Sequence, residues 1–192
     1  MEYHCNVSDL PAKVREQQLL HAGDRVILSG TVYTSRDAAH KRLTAAMRTD
    51  GVQALPFPLK DAVIYYAGPT AAPPGRPIGA CGPTTSGRMD PYAPMLLDAG
   101  LLAMIGKGER SQAVCDAIER NHAVYFCAVG GAGALAAAHI TECEVIAYED
   151  LGCESVKRLE LTDFPLLVAI DSHGGNLFRD GRAEFAAGPD LV

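Results

Sequence analysis

The 192-residue chain is long enough to bury one substantial core, so one domain over residues 1–192 is expected. Its composition, 48% apolar and 21% charged with a net charge of −6, is that of an ordinary soluble globular protein and argues against a nucleic-acid-binding surface. No apolar run approaches the roughly 20 residues needed to cross a bilayer, and MEYHCNVSDL has neither the basic nor the apolar region of a leader, so no membrane partner and a cytoplasmic location are expected.

YHCNV reads as a first strand, and SDLPAKVREQQLL as a short helical pattern with Ser8 or Asp9 as its cap. GDRVILSGTVYTS is β-rich, bounded by Gly23 and broken at Gly30, which predicts a strand or a bent pair. In RDAAHKRLTAAMRTDG, Ser35 can cap, Asp37 lies in the first turn, and Ala39, Leu43, Ala46 and Met47 form an apolar helical stripe that stops at Gly51. Arg36 sits at the strand-to-helix junction, from which a side chain can reach a ligand at a strand end. His40, one turn further on, is more often a satisfied surface or core histidine than a catalytic one.

Pro56 and Pro58 make VQALPFPLK irregular before the buried strand DAVIYYAG. The proline-rich GPTAAPPGRPIGA is then a stiff loop rather than a domain linker. It runs into GACGPTTSGRMD at 79–90, a turn punctuated by Gly79, Gly82, Pro83 and Gly87 that carries Thr84, Thr85, Ser86 and Arg88. Asp90 and Pro91 read as the N-cap and first residue of a helix ending at Gly100, which would place these groups beside a helix N-terminus, where anions are favoured. The plain alternative is that the hydroxyls only cap and turn. LLAMIG is a short strand with Lys107 between two glycines at its end, able to point into a pocket or into solvent. Helix ERSQAVCDAIERN, strand HAVYFCAV, the stretch GGAGALAAAHI, strand CEVIAYED and a strand-rich tail with SVKRLEL, FPLLVAI and the turn SHGGN follow. These elements indicate an α/β or α+β fold.

Residues 34–110 carry nine basic against six acidic side chains, and residues 111–192 five against thirteen. Basic charge therefore gathers around the glycine-rich turns, an arrangement suited to a small anion. The six cysteines (5, 81, 115, 127, 143 and 153) contain no CxxC pair and no cysteine–histidine zinc spacing. Reduced thiols are expected, with Cys115, Cys127 and Cys143 buried as small hydrophobes and no metal ligated by this chain.

Gly131, Gly133 and Ala136 spell GxGxxA after a strand, with Glu149 and Asp150 closing the next one, the spacing of a dinucleotide-binding module. The helix it would open, from about Ala134 to Ile140, is short against a usual crossover of ~10–12 residues, and little chain follows Asp150 to complete a doubly wound sheet. The competing reading is that these glycines permit tight packing beside the central turn.

Taken together, TSRDAAHKRL, YYAGPTAAPPG, IGACGPTTSGRMD, LLAMIGKGERS and AVYFCAVGGAGALAA resemble the β subunit, or C-terminal domain, of the iron–sulfur dependent class I fumarate hydratase and L-tartrate dehydratase family, from about Gly23 onward. The resemblance implies an α/β fold, a single swivelling three-layer β/β/α domain with mixed sheets. It implies a partner α subunit bearing a [4Fe-4S] cluster that this chain does not ligate, and reversible hydration of a dicarboxylate (malate and fumarate, or a tartrate-type substrate) at the interface. Carried over by position, Thr84 would be the base that takes the proton from the carbon next to a carboxylate. Thr85 would be a second hydroxyl at the substrate, and which of the two is the base stays open. Arg36, Arg88 and Lys107 would bind substrate carboxylates, and neutralising a carboxylate acidifies the neighbouring C–H. A threonine needs activation by a neighbouring group, in the family an aspartate of the α subunit. The chain alone is therefore expected to be inactive, completed by an α subunit in an assembly such as a heterotetramer.

Overall fold

The computed structural model of the protein describes residues 1–186. Seven strands, β1 (Glu2–Asn6), β2 (Arg25–Thr34), β3 (Val63–Tyr65), β4 (Ala103–Gly106), β5 (Val124–Cys127), β6 (Ile140–Ala147) and β7 (Val156–Ile170), form one mixed sheet in the order β1-β2-β3-β4-β5-β7-β6. They are joined by helices α1 (Asp37–Asp50), α2 (Ala93–Asp98), α3 (Gln112–Arg120), α4 (Gly133–Ala138) and α5 (Leu177–Ala186). Strands β2 to β5 run parallel, and β7 runs antiparallel to β2, β5 and β6. One edge of β7 follows β2, while its far end turns onto β5 through Val168 and Ile170, so the sheet curls back on itself. SVKRLEL and FPLLVAI are thus one strand of 15 residues. Asp163, at φ 49°, and Pro165 interrupt the local pattern without ending the ladder.

Parallel strands covered on both faces read as near-continuous apolar runs. On one face Val63, Tyr65, Ala103, Ile105 and Phe126 meet Val26, Leu28, Leu159 and Phe164 of β2 and β7 in a first core. On the other, Ile64, Met104 and Tyr125 receive α1, α2 and α3 through Leu43, Leu96, Leu97, Val114 and Ile118. Burying each such aliphatic side chain contributes about 1.5–3 kcal/mol. Among the described residues, no helix is long and apolar enough to cross a membrane.

Local readings differ at five places. Ser35 does not cap α1: its Oγ lies 2.7 Å from His40 Nδ1, and the Glu154 carboxylate accepts the Ala38 N–H at 3.0 Å instead. Asp90 does not cap a helix, because its carboxylate is taken by Arg110 Nε at 2.7 Å and Ser111 N–H at 2.6 Å. The central turn continues as a single 3-10 turn, Ser86–Met89, and α2 begins only at Ala93, so the hydroxyls do not stand at a helix N-terminus. The helical pattern after β1 is a 3-10 turn at Val7–Asp9 and a π turn at Ala12–Glu16, and α5 follows the SHGGN turn without a sequence expectation.

Candidate functional site

Parallel strands β2 to β5 end on one edge of the sheet, and the loops leaving them carry the residues singled out in the sequence. Arg36 follows β2, the central turn lies between β3 and β4, Lys107 follows β4, and Gly130 follows β5. The turn is stitched to this edge by its backbone. Thr84 N–H donates to the Tyr66 carbonyl at 2.7 Å, Ser86 N–H to the Lys107 carbonyl at 2.9 Å, and Thr85 pairs with Lys107 as a parallel bridge. Buried Ser86 locks the stitch: its Oγ accepts the Lys107 N–H at 3.0 Å and the Tyr125 hydroxyl at 2.8 Å. Only glycine fits beside it at 106, since a Cβ there would lie 1.9 Å from Ser86 Oγ.

On this frame Thr84 is half-buried and its Oγ1 accepts a hydrogen bond from Arg88 Nη2. Arg88 Nε lies 3.5 Å from Asp37 Oδ1, Asp37 Oδ2 lies 3.3 Å from Arg36 Nε, and Arg36 Nη2 lies 3.3 Å from Glu154 Oε1. An unbroken polar chain therefore joins Thr84, Arg88, Asp37, Arg36 and Glu154. Two guanidinium groups, which would repel each other if bare, are held together by a carboxylate between them. Lys107 joins through its backbone next to Thr85. Its side chain runs over Gly130, where a Cβ would sit 3.8 Å from Nζ, and among the described residues no carboxylate forms an ion pair with its ammonium. Thr85 is exposed, and its backbone pairs with Lys107.

A buried ion pair supports the turn from beneath. The Arg110 side chain is inaccessible, bonded to Asp90, with its guanidinium carbon 5.3 Å and 5.0 Å from the ring centroids of Tyr66 and Tyr125. Burial opposes its charge, but Tyr66 and Asp90 outweigh it and hold the pKa above the ordinary arginine value. His40 lies under Arg36, its Nδ1 3.2 Å from the Arg36 carbonyl oxygen and its Nε2 without a partner among the described residues. Burial pushes this imidazole down to about 3, which favours its neutral form. Of the residues that assemble here, Asp37 was visible only as a first-turn acid and Arg110 only as part of GKGER. Glu154 has no local pattern that announces it.

Of the GxGxxA glycines, Gly133 permits close packing, while Gly131 turns the chain at φ 79° with open space where a Cβ would stand. A Cβ on Gly133 would lie 3.2 Å from the Gly82 nitrogen, the Gly133 carbonyl accepts the Cys81 N–H at 2.9 Å, and Asp150 is taken by Arg42 through bonds of 2.8 and 2.5 Å. The cysteines are scattered. Cys115, Cys127 and Cys143 are only partly buried, whereas Cys5 and Cys81 are buried. Burial raises the pKa of all five, that of Cys81 to about 12, which favours the protonated thiol. Among the described residues, no three His, Cys, Asp or Glu side chains are placed to hold a metal ion.

The sequence matches the family described as "Fumarase C-terminus" over residues 3–181. The chain belongs to that family. It is 41% identical over 157 residues to the anaerobic class I fumarate hydratase of Escherichia coli strain K12, a match covering 81% of this chain and 28% of that protein. It is 37% identical over 169 residues to fumarate hydratase 2 of Leishmania major, covering 86% and 29%. Against the L(+)-tartrate dehydratase subunit beta of Escherichia coli strain K12 it is 31% identical over 187 residues, covering 95% of this chain and 90% of that subunit. The chain thus spans under a third of the fumarate hydratases but nearly all of a tartrate dehydratase β subunit.

Proposed function

We propose that this chain is the β subunit of a heteromeric hydro-lyase, in the cytoplasm, acting on a 2-hydroxydicarboxylate, with malate and fumarate as substrate and product. The reading rests on one observation above all: a threonine hydroxyl bonded to one arginine and linked through a single aspartate to a second, on the edge where four parallel strands end. The extent of the match to a tartrate dehydratase β subunit supports a separate subunit, and the higher identity to fumarate hydratases favours malate over tartrate. L-tartrate dehydration is the second reading. The curled sheet, with one core inside it and the helices packed outside, supports the three-layer β/β/α arrangement, and residues 1–192 then form one fumarase C-terminal-type domain.

In this assignment Thr84 takes the proton from the carbon next to a substrate carboxylate. The Arg88 guanidinium donating to Thr84 Oγ1 favours the oxyanion form in which threonine is a base. Arg36, Arg88 and Lys107 hold the carboxylates, which neutralises them and acidifies the C–H. Thr85 lines the substrate beside them. The [4Fe-4S] cluster and the aspartate that activates Thr84 are assigned to an α subunit, where the iron would supply Lewis-acid chemistry for the departing hydroxyl; a heterotetramer is the assembly in view.

The test is anaerobic assay of malate–fumarate interconversion by the chain co-expressed with its α subunit. Thr84→Ala is expected to lower kcat by about 10²–10⁴-fold, the usual contribution of a positioned base, with KM nearly unchanged. A complex carrying Thr84→Ala at full activity would remove Thr84 from the mechanism.

A further inference from the structure

We infer that Glu154 is a positioning residue for substrate binding, holding the Arg36 guanidinium in place from a loop that is itself clasped onto α1. The inference rests on Arg36 as a carboxylate-binding residue. Glu154 does two jobs with its two oxygens: Oε1 lies 3.3 Å from Arg36 Nη2, and Oε2 accepts the Ala38 N–H at 3.0 Å, the free donor in the first turn of α1. Asp37 accepts a hydrogen bond from Nε and the Glu154 carboxylate lies 3.3 Å from Nη2, so two nitrogens of the guanidinium face carboxylates, and the side chain lies over Gly68, where a Cβ would come 2.8 Å from Nη1. The orientation is then set before any ligand arrives, so binding does not have to order a long flexible side chain.

The loop that delivers Glu154, residues 149–154, is anchored at both ends. Arg42 of α1 binds Asp150 and lies over the Tyr148 ring, 5.3 Å from its centroid. At the other end Lys157 Nζ donates to the carbonyls of Gly152 at 3.1 Å and Cys153 at 3.4 Å, and Ser155 Oγ donates to the Gly152 carbonyl at 2.8 Å. A surface acid with no role in the site would not need such a mount. Glu154 also keeps 24% of its side chain exposed against 20% for Arg36, so both face the same partly open edge rather than a sealed core.

Glu154→Gln separates the two jobs, because its amide oxygen can still accept the Ala38 N–H while the charge opposite Arg36 is gone. In the complex with the α subunit, this variant is expected to unfold at the wild-type temperature, to raise KM about tenfold and to keep kcat within about threefold, the pattern of lost uniform binding. The rise in melting temperature produced by succinate, a dicarboxylate with no hydroxyl to lose, should shrink in parallel. Glu154→Ala should show the same KM and also melt earlier. In an Arg36→Ala background, Glu154→Gln should add nothing further to KM. A wild-type KM and undiminished succinate protection in Glu154→Gln, or additive effects in the double variant, overturn the inference while leaving Arg36 in its role. A wild-type KM in Arg36→Ala removes that role and this inference with it.

Discussion

Gly106→Ala puts the frame of the site under direct test. The added Cβ would stand 1.9 Å from Ser86 Oγ and 3.0 Å from Tyr66 Cδ2. Retreat to 3.0 Å requires a shift of roughly 1.1 Å, and Ser86 is buried with its oxygen held by Lys107 N–H and Tyr125. Loss of those two bonds costs about 1 kcal/mol each, and forcing a methyl into a packed interior adds about 1–3 kcal/mol, so destabilisation of about 3–5 kcal/mol is expected. Because the same bonds fix the turn against Lys107, the displacement also moves Thr84, and a 1 Å misplacement costs about 10²-fold in rate. Urea unfolding reads the first effect and anaerobic turnover by the complex with the α subunit the second. Ser86→Ala removes the atom that clashes, so Gly106→Ala should cost less in a Ser86→Ala background than in the wild type, by at least about 1 kcal/mol. Gly106→Ala within about 1 kcal/mol of wild type, or no relief from Ser86→Ala, would refute the close-packing argument.

Arg110→Ala leaves the half-buried Asp90 carboxylate without its cation, held among the described residues only by the Ser111 N–H, and removes the cation between Tyr66 and Tyr125. Destabilisation of about 3–5 kcal/mol is expected in urea unfolding, and an unchanged midpoint would show that the pair is dispensable. His40 predicts a pH effect: with the folded pKa down at about 3 against an ordinary 6.5, the unfolded chain binds a proton that the folded one refuses. Stability from this group is complete above pH 6.5 and falls as pH drops toward 3, by at most about 1.4 kcal/mol per pH unit. Unfolding free energies between pH 6.5 and pH 5 should therefore decline more steeply for the wild type than for His40→Gln, and equal slopes would place the histidine elsewhere in the titration.

The sequence by itself determined the strand-to-helix alternation, the α1 stripe of Ala39, Leu43 and Met47, the stiff turn carrying Thr84 and Arg88, and the strand-end positions of Arg36 and Lys107. Each follows from short-range physics: periodic burial, proline and glycine dihedrals, and β-branched runs bounded by breakers. What only the tertiary structure decided is which polar groups take which partners. Ser35 had a helix N–H within local reach and bonds His40 instead, while the vacant N–H goes to Glu154, 116 residues away in sequence. Asp90 looked like a cap and is claimed by Arg110 across 20 residues. Asp37 became the link between two arginines only when β2 and the central turn met at one edge. Hydrogen-bonding side chains have several acceptable local partners of nearly equal energy, so the choice falls to whichever group packing brings within about 3 Å, and the contacts that assemble this candidate site are invisible until the sheet has closed.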